Sequence, residues 1–239
     1  LGNKVIVSSS PYVFVLTDTD GDGKADKREL LFEDNSPGDH DHCMHAFVFG
    51  PDGKLYFNYG NEVKELRRPK GGLMALPLNG PVPAHDFEVV IDLSGNPVVA
   101  GGKPYRQGMI CRCNLDGSGV EMLGQNFRNP YEVHPDAFGT IWQSDNDDDG
   151  NRGTRVNYVM EFGNYGYSDE RTGASWRSKK TNPEADTPHR HWSLNDPGVV
   201  PTLLLTGQGA PTGMTVYEGK LLPAVFQNQV IHCDAGPRV

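Results

Sequence analysis

The sequence predicts an all-β fold of short, meandering antiparallel strands, and three observations carry that expectation. Its apolar residues fall in short β-branched or aromatic runs: YVFVL, AFVFG, KLYFNYG, FEVVIDL, TIWQSD, NYVMEFG, MTVYEG and QVIHCD. Turn signals such as PDGK, LDGSG and YEGK separate these runs, in a chain with 29 Gly and 18 Pro among 239 residues. No segment keeps a 3.6-residue hydrophobic period for long, so helices have little place in the plan.

Taken in order, the first element is the strand YVFVL, which Pro11 and its β-branched, aromatic content keep from being helical. An acidic loop and the strand LLF follow. HAFVFGPDGKLYFNYGN, from His45, then gives a strand, a Pro-Asp turn and an aromatic strand running into a polar loop. YEVHPDAFGTIWQSDN, from Tyr131, repeats that order, with Pro51 and Pro135 separated by 135 − 51 = 84 residues. GMTVYEGKLLPAVFQNQVIHCD begins a third such pattern roughly 80 residues later. Half of that spacing is about one propeller blade of ~40 to 45 residues. A β-propeller whose repeat recurs every second blade is therefore expected, with four to five blades in this chain and a β-sandwich array as the alternative.

Residues 168–198 break the strand rhythm with a long polar loop carrying Trp176, Trp192, His189 and His191. Such a loop is either a lid over a binding face or a surface insertion. Residues 1–239 read as one propeller domain or most of one. Leu1 stands where a Met would, and the chain stops just after a strand-like run, so a segment of a larger protein is expected.

The net charge is −9, from 31 acidic and 22 basic residues, with the acids concentrated in DTDGDGKAD and SDNDDDGN. That balance argues against nucleic acid and anionic membrane surfaces as partners. No apolar run approaches the ~18 to 20 residues of a membrane helix, and no signal peptide is visible. Cys43, Cys111, Cys113 and Cys233 are too few for a disulfide scaffold and form no C-x-x-C, although one or two bridges are compatible with export. Cys111 and Cys113 share one strand face, which favours a core role over a mutual bond.

TDTDGDGKADKREL, from Thr17, has the oxygen-ligand spacing of a calcium loop with its central glycine. Its flanks are strands, so calcium binding here ties a hairpin together and serves as a staple, with no helix pair to open. Asp18, Asp20, Asp22 and Glu29 are the expected side-chain ligands and Lys24 the carbonyl ligand; an acidic turn without metal is the plainer alternative. Asp145, Asp147 and Asp149 form a second acidic stretch, which lacks an acid at the last loop position, occupied by Val156.

Between Gly108 and Tyr167 the order is strand, LDGSG turn, FRNP, strand, acidic loop, strand and GNYGY. This series resembles the soluble pyrroloquinoline-quinone (PQQ) dependent sugar dehydrogenases of the glucose/sorbosone dehydrogenase family. DHCMHAFVFGPDGKLYF resembles the same family's histidine-bearing strand ahead of a Gly-Pro-Asp turn. With DTDGDGKADK, FRNPYEV, WQSDNDDDGNRGTR and NYGY, the chain is more similar still to the propeller domain of planctomycete-type membrane-bound dehydrogenase proteins, which continue into a haem-binding module. The resemblance runs from about Tyr12 to Asp234.

It implies a ring that is six-bladed in the full protein, exported to the periplasm or cell surface. It implies oxidation of a sugar or related alcohol, calcium and PQQ as cofactors, and a haem domain or cytochrome as electron acceptor. His42 takes the place of the family's catalytic base, with Asp41 beside it. Arg128 and Asn129 match the arginine and asparagine that contact the quinone, Arg238 stands for a later cofactor contact, and Asp145 to Asp149 occupy the place of the loop that holds the cofactor's calcium. A neutral imidazole suits removal of a hydroxyl proton, and a guanidinium suits the charge that develops on a reduced quinone.

The residues themselves leave other readings open. His42, with His40, Cys43 and His45, can equally form a transition-metal site or polar residues at the start of a strand. Strand alternation would send His42 and Met44 to one face and Cys43 and His45 to the other, unless the segment is a loop. Arg128 and Asn129 can simply build a corner before Pro130. Trp142 reads as core, and Tyr165 and Tyr167 as packing at a blade junction. A calcium-stapled recognition or assembly module without catalysis is the alternative function, and a lactonase-like hydrolase a more distant one.

Overall fold

The computed structural model describes residues 2–36, 40–101, 103–147, 152–175, 177–207 and 210–235. β1 (Lys4–Ser9), β2 (Tyr12–Thr17) and β3 (Lys27–Asp34) form a meander, and β4 (Met44–Phe49) and β5 (Leu55–Tyr59) a hairpin. β6 (Leu66–Pro69), β7 (Met74–Leu76) and β8 (Phe87–Val89) return to the first sheet, where β7 pairs with the start of β3 and β6 with its end. β9 (Gly108–Cys113) and β10 (Glu121–Phe127) extend the β4–β5 hairpin into a second sheet. β11 (Pro130–Pro135), β12 (Ile141–Asp145) and β13 (Arg155–Tyr158) make the third. β14 (Gly163–Asn164) lies parallel to β10, α1 (Thr187–Arg190) is a single helical turn, and β15 (Leu204–Leu205) edges β13. β16 (Ala210–Val216) and β17 (Val230–Ala235) form a fourth, two-stranded sheet.

The two Pro-Asp turns are built alike. Asp52 accepts the Lys54 amide at 3.1 Å, and Asp136 accepts those of Phe138 and Thr140 at 2.9 and 2.8 Å. Gly53 and Gly139 sit at φ +75° and +83°, where a side chain would be strained. These turns join the first two strands of consecutive sheets, so the 84-residue spacing marks one sheet and not two blades. The shorter period fails because residues 60–107 leave the second sheet, add three strands to the first, and then return.

Side-chain alternation packs the sheets on one another. Leu55, Phe57, Tyr59, Met109, Cys111 and Cys113 face the first sheet, where Val13, Val15, Leu31 and Phe32 meet them. From the other face of the same sheet, Tyr56 and Ile110 join Leu123 and Phe127 against Val133, Ile141, Val159 and Tyr165. Each fully buried side chain of this kind contributes about 1.5–3 kcal/mol. Two such layers stack the first three sheets as blades of a β-propeller, and with the two-stranded fourth sheet the described residues stand at the lower end of the expected four to five. Cys111 and Cys113 are core residues, and all four cysteines are free thiols.

The fourth sheet is attached differently. Glu132 accepts the Met214 amide at 2.8 Å and Glu218 that of Ala137 at 3.2 Å. Met214 is the buried hydrophobic residue of this hairpin, while Leu221, Val225 and Phe226 in its loop are exposed.

Segment 168–198 is no loose insertion. Asp169 is fully buried and accepts the Arg171 and Thr172 amides at 2.9 Å each, together with the Thr181 hydroxyl and amide. Trp192 and His191 are buried as well. Trp176 lies outside the described residues.

Candidate active site

Four pieces of chain meet where the second and third sheets join: the His40–His42 turn, Gly60–Asn61 after β5, the Arg128–Asn129 corner before β11, and Asp145–Asp147 at the end of β12. The turn is 3₁₀-helical and β4 begins only at Met44, so strand alternation does not separate His42 from His45. Ala46, at φ +38°, adds an irregularity between His45 and Phe47.

His42 Nδ1 lies 2.6 Å from Asn61 Oδ1. The amide oxygen can only accept, so Nδ1 is the donor, and in the neutral ring the lone pair is on Nε2. Asn61 is fixed in turn by its own amide, which donates to the Arg128 carbonyl at 2.8 Å. Asp41 is exposed; its carbonyl oxygen accepts from Asn129 Nδ2 at 2.7 Å and from His45 Nε2 at 3.0 Å. His45 Nε2 also lies 3.1 Å from Asn129 Oδ1, and its ring stacks on Tyr131 at 5.3 Å. Burial depresses the His45 pKa more strongly than these bonds raise it, which keeps the ring neutral.

Beneath the corner lies a buried ion pair. Asp145 Oδ1 accepts the Asn129 amide at 2.9 Å and the Arg128 amide at 3.2 Å, while Oδ2 accepts Arg155 Nη2 at 2.9 Å and Nε at 3.2 Å. Both side chains have no exposed surface. Arg155 also donates to the Tyr165 carbonyl at 2.7 Å, and its guanidinium stacks 3.5 Å from the centre of the Trp192 ring. Asp147 pairs with His191 Nδ1 at 3.1 Å and accepts the Gly153 amide at 2.6 Å. Burial, reinforced by Arg128 and Arg155, depresses the His191 pKa to about 2, so this imidazole stays neutral. Arg128 is itself buried, with Nη1 donating to the Asn146 carbonyl at 3.2 Å.

The structure thus brings His42, Asp41, Arg128, Asn129, Asp145 and Asp147 together, and adds Asn61 and Arg155, which the sequence does not single out, with His45 from the histidine cluster and His191 and Trp192 from the 168–198 segment. Asp149 and Arg238 lie outside the described residues. Trp142 is only half-buried, its indole reaching Asp136 at 3.4 Å. Tyr165 stacks on Phe127 at 4.2 Å and Tyr167 lies against His191 and Trp192, both as junction packing.

The acidic loop between β2 and β3 is separate from this junction. Ligand oxygens of Asp18, Asp20 and Asp22 lie within 4.8 Å of one another. Asp18 accepts the Gly21 and Gly23 amides at 2.6 and 2.9 Å, which hold its pKa below the ordinary value. Lys24 donates its amide to Asp22 at 2.8 Å. Glu29 does not join the cluster: it sits inside the β3 ladder opposite Val15 and pairs with Lys27 at 2.9 Å. The strand ladder that replaces a second helix carries this position away from the loop. β3 has eight residues, about 25 Å of strand at ~3.3 Å each, between the loop and the end nearer His42.

Fold and junction together define a β-propeller with a histidine site where two blades meet. A family model described as a domain of unknown function, DUF7133, matches residues 1–76. No curated protein matches the sequence significantly. Among solved structures the chain is similar to a glucose dehydrogenase, at 15% identity and a TM-score of 0.56, over 96% of this chain and 59% of that one. An oxidoreductase of Thermus thermophilus described as a glucose dehydrogenase follows at 17% identity and TM-score 0.45, over 87% of this chain and 57% of that one. The PQQ-bound aldose sugar dehydrogenase of Streptomyces coelicolor is 15% identical with a TM-score of 0.41, over 91% and 70%. The first of these likenesses establishes the fold, and the chain spans 59% of that protein's length. Among the described residues no helix is long and apolar enough to cross a membrane.

Proposed function

We propose that this chain is the histidine-bearing part of a PQQ-dependent-type dehydrogenase that oxidises a sugar or related alcohol. The observation that carries the reading is the Asn61 bond to His42, which fixes the tautomer whose Nε2 can take a hydroxyl proton. The motif series and the glucose dehydrogenase fold support it. Arg128, whose main-chain carbonyl is tied to Asn61 and whose buried guanidinium reaches the Asn146 carbonyl, supplies a cation at the same corner that suits an anionic quinone. When bound, PQQ supplies the acceptor for hydride; the chain binds, orients and removes the proton.

Asp145 does not fit a cofactor calcium, because the buried Arg155 guanidinium already neutralises its carboxylate, and Asp147 is turned to the His191 ring. The Asp18 loop fits a calcium ion, as a staple for the β2–β3 hairpin. Export to the periplasm or cell surface, and electron transfer to a haem domain or cytochrome, belong to the same proposal.

The test adds PQQ and calcium to the full-length protein. A cofactor absorbance shift and aldose-dependent dye reduction are expected, with dye reduction lost in His42→Ala. Absence of both in the wild-type protein refutes the reading. The engaged carboxylates at Asp145 and Asp147 favour a second reading, a calcium-stapled recognition module, in which calcium still stabilises the protein but PQQ does not bind.

A further inference from the structure

We propose that Asn129 is a positioning residue, whose side-chain amide locks the turn that presents His42. The catalytic consequence rests on the dehydrogenase reading; the geometry does not. Both ends of the amide are engaged by that turn and the strand after it, Nδ2 by the Asp41 carbonyl at 2.7 Å and Oδ1 by His45 at 3.1 Å. His45 closes the ring through its 3.0 Å contact to the same carbonyl. Asp41 O and Asn129 Oδ1 both accept only, so His45 carries its proton on Nε2 while His42 carries its proton on Nδ1. The two rings are held in opposite tautomers.

The clamp is anchored from below and crowded from the side. The Asn129 amide is tied to Asp145, and the residue is 4% exposed. A Cβ on Gly60 would come within 2.6 Å of Asn129 Oδ1 and 2.7 Å of the His42 carbonyl oxygen. Glycine at 60 therefore allows Asn129 and the turn to close on one another. The Tyr131 ring stacks on His45 at 5.3 Å and covers it from the side.

The test compares the full-length protein with Asn129→Ala and, as an independent route to the same clamp, Gly60→Ala. Long-range ¹H–¹⁵N spectra of histidine-labelled protein report the tautomers, and a titration reports the PQQ Kd. In the wild type, His45 is expected as the Nε2–H form and His42 as the Nδ1–H form. Either variant should average the His42 tautomers, although Asn129 does not touch that ring, and lower kcat at least tenfold with the PQQ Kd changed less than twofold. A Kd weakened tenfold with the His42 tautomer intact makes Asn129 a cofactor ligand and overturns the proposal, as does a wild-type His45 protonated on Nδ1. If PQQ does not bind but the tautomers respond as stated, the positioning role stands and only the dehydrogenase reading fails.

Discussion

Asp145→Ala is the most demanding perturbation of this molecule. The substitution leaves Arg155 as a lone cation without exposed surface, and deprives the Arg128 and Asn129 amides of their acceptor. Breaking a buried pair from one side costs about 3–5 kcal/mol, and the two orphaned amides place the value toward the upper end. A domain with about 5–15 kcal/mol in total loses about a quarter or more of its stability. At a guanidinium slope of roughly 5 kcal/mol/M, the unfolding midpoint falls by about 0.8–1 M with the slope unchanged. The double variant Asp145→Leu/Arg155→Met, which buries no charge, should recover at least half of that loss. A single-variant loss under ~1 kcal/mol, or a double variant as unstable as the sum of its parts, would show that the pair does not organise the corner as described.

Two further outcomes follow from other groups. Burial depresses the Lys180 pKa to about 8, below its ordinary 10.5. The folded state therefore disfavours the ammonium, and wild-type stability gains with pH between about 8 and 10.5. Lys180→Met should be relatively most stable near pH 7, and its advantage over wild type in urea should shrink across that window. Calcium at about 100 times its Kd should raise Tm by roughly 5–10 °C, from ~2.7 kcal/mol of linkage at 2–4 °C per kcal/mol. Scanning calorimetry should show that effect lost in Asp18→Ala and kept in Glu29→Gln, since Glu29 stands outside the cluster.

Much of the fold is legible in the sequence because strand period and turn chemistry are local. YVFVL, AFVFG and TIWQSD each form strands, and the two Pro-Asp turns mark equivalent hairpins. The period misleads because an insertion that adds strands to a neighbouring sheet leaves no local trace. At the site, local order places His42 and the Arg128–Asn129 corner but not their partners. Asn61 meets a residue 19 positions away and Asn129 meets residues 84 and 88 away, and nothing in a single sequence encodes such pairings. Asp145 reads as a metal ligand because its loop is acidic. The available counter-signal is Arg155, a charge within the strand following that loop. Trp192 looks like a lid residue because its surroundings are polar, yet its ring covers the Arg155 guanidinium.

The polar attachment of the β16–β17 hairpin bears on how the molecule comes apart. Hydrophobic layers weld the first three sheets into one cooperative unit, whereas among the described residues the fourth is held by the hydrogen bonds to Glu132 and Glu218 and by the single buried Met214 side chain. Sub-global opening should therefore begin at that hairpin, with its amides exchanging far faster than those of β5 or β9. The His42 junction, set between the second and third sheets, can then keep its geometry through fluctuations that release the hairpin altogether.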